Sequence, residues 1–249
     1  MPTPFMHLQV AEGIKSHSRL HPTLSALIER HFSAFYLGSI APDVQSITKQ
    51  PRSSTHFYDL PPRPEDKAYP KLLATYPQLS KPEHLPPEQS VFVSAYCAHL
   101  MLDLRWYHEV LIPYFVDPVE WDDNHQRFVV HNTLLTYLDK IAVESLPDRA
   151  GQILAEAKPD GWLPFVNDDD LARWRDNLVD QLQPGAPLRT IEIYAGRLYM
   201  LPEEFANNLE EPSWMEEHLI RRVPVDSVIE MMSSAVAESV NLINHYFLS

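Results

Sequence analysis

The apolar positions of this chain recur at intervals of three and four residues, and alternating strand patterns are scarce. Thr3-Pro4 reads as a cap and first-turn proline opening a helix through FMHLQVAEGIKS, residues 5–16. HPTLSALIERHFSAFYLG, residues 21–38, predicts a second helix that stops at Gly38. SIAPDV follows as a short turn, because Pro42 biases Ala41 away from helix. Residues 61–87 hold eight of the 23 prolines and predict an extended excursion with at most a short helix at KLLATY. A long helix then begins within 87–90 and ends at Pro113, and another covers 125–146 and closes at Pro147. Further helices are expected at 168–182, 201–211 and 224–247, the last an amphipathic terminal core helix. Only TIEIYAG, residues 190–196, competes as a strand. The pattern predicts an all-α fold, one multi-helix domain over 1–249.

Composition narrows the classes. At 249 residues the chain can bury a sizeable core, and 45% apolar against 22% charged residues is ordinary for a globular protein. No apolar run reaches the roughly 18–20 residues of a membrane span. The start, MPTPFMHLQVAEG, lacks a basic leader followed by an apolar segment, and a single cysteine, Cys97, excludes an intramolecular disulfide framework. A cytoplasmic protein is expected. The formal net charge of −14, with no run of Lys or Arg, disfavours nucleic acid and anionic membrane faces as standing partners. Oligomeric state leaves no signature. Twelve histidines are more telling, since neutral imidazole is the commonest metal ligand.

The chemistry concentrates in AYCAHLMLDLRWYHEVLIP, residues 95–113. His99 and Asp103 stand about 40° apart around a helix and share one apolar face. A lone carboxylate there would cost several kcal/mol or lose its charge. A divalent cation would accommodate both groups, and so would a plain buried His–Asp hydrogen bond. His108, nine residues after His99, points about 180° away on a straight helix and cannot join the same ion. Three further positions matter: His7 inside the first apolar helix, Asp43 on the IAPDV turn, and His56 in SSTHFYD. Alone, each also reads as a satisfied core histidine, a turn cap or a loop histidine. Cys97 faces elsewhere and reads as a small buried apolar residue. Phe57, Tyr58, Trp106 and Tyr107 read first as core packing and second as an apolar approach for an acyl chain.

The order MPTPFMH, YLGSIAPDV, THFYD, AHLMLDLRWYHEV and HNTLLTYLD resembles the zinc-dependent phospholipase C family, whose helical fold is shared with fungal single-strand-specific nucleases. The likeness covers roughly residues 1–140. It implies that metal-site helices occupy 1–145 and that 146–249 adds packing helices. It implies one complete metal site of Asp43, His56, His99 and Asp103, with His7 and a bridging Asp103 holding a second ion. The family's second ion also takes a free N-terminal amine, for which the imino group of Pro2 would substitute after methionine removal. The family's remaining site needs a histidine about six residues after the aspartate and then an HxxxE pair. Here His108 falls at five residues, and four residues after His131 stands Leu135, which cannot bind metal. Asp139 lies two turns away, too far to replace it.

One or two zinc ions are therefore expected, and manganese or iron would also suit such donors. The resemblance implies a phosphoester hydrolase acting on a small phosphoester or a phospholipid, with Asp43 orienting or deprotonating the attacking water and His131 donating to the phosphate. The alternative is a non-catalytic helical protein fastened by a structural ion or a buried His–Asp network. Four ligands would close a tetrahedron, and Leu135 favours this second reading.

Overall fold

The computed structural model describes residues 1–116, 120–121 and 123–248. It is helical, and no strand occurs among the described residues. Helix α1 (Pro4–Lys15) opens as predicted: Thr3 caps it by accepting from the Met6 amide, and Pro4 fills the first turn. Helix α2 (Pro22–Arg30) and helix α3 (Phe32–Ile40) replace the single helix expected over 21–38. The break is at His31, whose backbone (φ −117°, ψ 35°) leaves helical geometry while its N–H still closes on Leu27 and Ile28.

Gly38 does not stop the helix. Its missing side chain lets α3 lie directly against a later helix, where a Cβ would collide with the Phe92 carbonyl oxygen. The chain continues into a 3-10 turn, Ala41–Val44, with Ala41 in helical conformation (φ −60°, ψ −35°) despite the following proline. The Trp174 indole pins this junction by donating to the Ile40 carbonyl at 2.8 Å.

Short helices α4 (Gln45–Thr48), α5 (Arg52–His56) and α6 (Ala68–Thr75) follow, with two 3-10 turns at Pro77–Leu79 and Pro82–His84 in the proline-rich stretch. Helix α7 (Pro87–Trp106) is the centre of the molecule. Every residue from 90 to 103 is buried, which is why its sequence has no polar face. It packs against α3, α6 and helix α14 (Val225–Leu248), whose own apolar stripe closes that side of the core.

Helix α7 does not end at Pro113 but runs into a π-helical segment, Tyr107–Val116, whose wider turns contain the proline. The straight-helix geometry assumed for His108 therefore does not apply, yet its half-buried ring lies edge-on to Tyr107 and outside the donor groups described below. Asp123 caps α8 (Asn124–Ser145) by accepting from the Gln126 amide.

Helices α9 (Ala150–Ala155), α10 (Asp168–Gln181), α11 (Arg189–Leu198), α12 (Pro202–Glu210) and α13 (Pro212–Met215), with a π-helical segment at Glu216–Ile220, precede α14. The stretch TIEIYAG, which competed as a strand, is α11: Thr190, Tyr194, Ala195 and Leu198 bury one helical face. Its β-branched residues yield to packing against α8.

Candidate metal centre

Four separate elements deliver side chains to one buried place. Helix α1 buries His7, and the 3-10 turn after α3 presents Asp43. His56 ends α5, immediately before Phe57 turns the chain through a left-handed conformation (φ 61°). Helix α7 supplies His99 and Asp103 from successive turns. The donor atoms of His7, His99 and Asp103 lie within 4.8 Å of one another, and so do those of Asp43, His56 and His99.

The distances suit a small cation. Two donors bound about 2.0–2.1 Å from one tetrahedral ion are themselves about 3.4 Å apart. His56 Nε2 lies 3.4 Å from Asp103 Oδ2 and 3.5 Å from Asp43 Oδ1, and His99 Nε2 lies 3.8 Å from Asp103 Oδ2. On the other side of the same carboxylate, His7 Nε2 is 3.5 Å from Asp103 Oδ1. Nε2 of all three histidines and Asp103 Oδ1 are buried without a hydrogen-bond partner. Left so, such atoms forfeit their hydration for nothing; donating to a divalent cation would satisfy them together.

The far side of each ring fixes its tautomer. His99 Nδ1 donates to the Ser39 carbonyl at 2.7 Å, leaving Nε2 with a free lone pair. The Thr55 hydroxyl gives its proton to the Arg52 carbonyl at 3.3 Å and accepts from His56 Nδ1 at 2.9 Å, with the same result. The His7 and His99 rings stack 3.6 Å apart, nearly parallel. Burial, with His7 beside it, pulls His99 down to about 3 and keeps it neutral at pH 7. Burial alone would raise Asp43, but His56 and His99 outweigh it and hold the carboxyl down to about 2. Burial opposes ionisation of Asp103 too, and His99, Arg52 and His7 reverse that, holding it well below the carboxylate range.

Two of these neighbours escape a reading of the sequence. Arg52 donates from Nη2 to Asp103 Oδ2 and approaches Asp43 Oδ1 to 3.8 Å through Nη1. Tyr58, expected first as core packing and second as an apolar approach, donates its hydroxyl to Asp103 Oδ2 at 3.1 Å and accepts from Arg52 at 2.9 Å. The one signal for Arg52 is its spacing from His56 in RSSTH, four residues on one helical face.

Phe57 and Trp106 serve the core, while Tyr107 is half-buried against His108. Phe57 packs against Tyr76 and Phe165, and Trp106 is fully buried. His131 is not among the converging groups; its ring packs against Phe115 and its buried Nε2 has no partner. Burial, the Met1 amino group and Arg127 hold it well below the ordinary histidine range. Burial likewise draws the Met1 amino group down to about 6, against the pull of Asp103. Leu135 is buried apolar, and Asp139 is committed to hydroxyls: Thr3 Oγ1 donates to its Oδ1, and Thr190 donates to its Oδ2 at 2.8 Å.

The chain matches the family model of zinc-dependent phospholipase C over residues 6–186, a span that includes all five converging donors. No curated protein and no solved structure matches the chain.

Proposed function

Because the chain belongs to the zinc-dependent phospholipase C family, we propose that it is a metal-dependent hydrolase of phosphoesters, with the phosphodiester of a phospholipid or a smaller analogue as substrate. Asp43, His56, His99 and Asp103 hold one zinc ion in this reading, and His7 shares Asp103 with a second. The observation that carries it is the set of three buried, unpartnered imidazole nitrogens facing two carboxylates. No helix among the described residues is long and apolar enough to cross a membrane.

When bound, zinc supplies a water acidic enough to attack near neutral pH and a positive centre for the phosphoryl oxygens. The residues of the chain do the rest. Asp43, at the accessible edge with 17% of its side chain exposed, is placed to orient the attacking water and accept its proton. Asp103, between His7 and His56, fixes the spacing of the donors. The Ser39 carbonyl and Thr55 hydroxyl keep the rings of His99 and His56 turned inward. His131, whose neutral ring leaves a buried Nε2 unpartnered, is assigned in this reading the hydrogen bond to the phosphate.

A second reading has its own support. Leu135, buried and apolar, stands at the sequence position where the family pattern has a carboxylate, and four protein ligands would leave a tetrahedral ion no open position. The ion would then fasten helices and do no chemistry. Metal analysis of protein purified without chelator, with turnover assays on phosphomonoester, phosphodiester and phosphatidylcholine, separates the readings. We expect stoichiometric zinc in the wild type, its loss in His99→Ala, and zinc-dependent turnover of at least one substrate. Manganese or iron in place of zinc would change the ion and keep the chemistry. Absence of any metal defeats the proposal, and bound metal without turnover selects the structural ion.

A further inference from the structure

Among the described residues, Arg52 is the one permanent cation in contact with the cluster. It opens α5 and His56 closes it, so the turn that aims the imidazole inward aims the guanidinium at the same carboxylates. Its Nη2 bonds Asp103 Oδ2 and its Nη1 faces Asp43 Oδ1. These are the two oxygens that His56 Nε2 also faces, from 3.4 and 3.5 Å. The guanidinium thus sits on oxygen atoms that an ion would need.

Arg52 shares the solvent edge of the centre with Asp43, whose side chain is 17% exposed. The Arg52 side chain is 19% exposed, against 1% for Asp103 and none for His56. The Tyr58 ring, 5.6 Å from the guanidinium carbon, and the Tyr58 hydroxyl hold it at this edge. Its Nε is buried without a partner, one donor in reserve.

Charge decides what such a group does. In the four-ligand site the two carboxylates and one dication cancel, so with that ion alone in place the site is neutral without Arg52 and net positive with it; a second ion beside His7 would add to the same positive field. A phosphoester is an anion, and a planar fork of N–H donors matches two phosphoryl oxygens. Leu135 removes the means of holding a further ion.

Resting on the zinc reading above, we propose that Arg52 is the resident cation of this centre: it neutralises Asp103 and Asp43 when no ion is bound, competes with zinc for them, and binds the substrate phosphate once zinc has taken them. Two opposite effects of one substitution follow. Removing Arg52 tightens zinc binding, because an internal competitor is gone, and weakens phosphate binding, because its fork is gone.

The test uses the full chain, stripped of metal and titrated with zinc against a chromophoric chelator, as wild type, Arg52→Gln and Arg52→Lys. Inorganic phosphate is then titrated into each zinc-loaded protein by calorimetry. We expect Arg52→Gln to bind zinc about tenfold more tightly and phosphate about ten- to a hundredfold more weakly. Arg52→Lys keeps the charge but cannot span both carboxylates, so both changes should have the same sign and smaller size; it serves if the Gln variant does not fold. Zinc and phosphate affinities equal to wild type in the variants overturn the role of Arg52 and leave the metal centre standing. No zinc uptake by wild type or variants overturns both.

Discussion

Asp139 is a buried carboxylate that meets two hydroxyls and, among the described residues, no ion-pair partner. Burial raises its pKa from 3.8 to about 6, and the bonds from Thr3 and Thr190 only partly oppose the rise. The native state therefore holds this proton more tightly than the unfolded chain does. Stability should fall as pH climbs from about 4 to about 6 and stay lower above that. Two pKa units correspond to about 3 kcal/mol, an upper bound for one site. Denaturant melts of wild type and Asp139→Asn at pH 4.5 and 7 check this: the gap between the proteins should move toward the variant at pH 7. A gap that does not change with pH would assign the strain elsewhere. At this scale the sequence announces a residue only when its type clashes with its surroundings. His99 and Asp103 are visible because charge capacity sits among Leu100, Leu102 and Leu104. Arg52 is not, because RSSTH looks like any solvated turn until α5 folds against α7. Thr190 as the anchor of Asp139 depends on a contact between α8 and α11 that no local pattern encodes.

Among the elements, the pairing of α3 with α7 governs the centre, since α3 leads to Asp43 and carries the Ser39 carbonyl that orients His99. Gly38→Ala should force these helices apart and lower stability by about 2–3 kcal/mol, with a drop in zinc uptake. Gly196 in α11 is the control: a Cβ there meets nothing within 4 Å, so Gly196→Ala should stabilise by about 0.5–1 kcal/mol. Thermal melts of the two variants should shift in opposite directions. The same pair explains what was legible. Periodicity and caps locate α1, α7, α8, α10 and α14, because long helices with turn residues at their ends write their pattern locally. Gly38 reads as a stop because a close-packing glycine and a terminating one look alike in sequence. The break at His31 and the π turns after Trp106 carry no Gly or Pro at their start, so nothing in the string marks them.

On the scale of the whole molecule, the donors come from four elements spread between His7 and Asp103, and all are buried in or beside a shared core. An ion bound there would favour the folded state over any state in which α1, α5 and α7 separate. Cys97 makes this measurable. It lies on α7 two residues before His99, is fully buried, and burial pushes its thiol up to about 12. An alkylating reagent can reach this sulfur only during excursions in which α7 comes away from its neighbours. Labelling of the native protein would then count those excursions, with zinc at a thousandfold over its Kd slowing the reaction about a thousandfold and a chelator restoring it. The only sulfhydryl in the chain is in effect a built-in clock, wound by whatever ion holds its helix to the neighbouring ones.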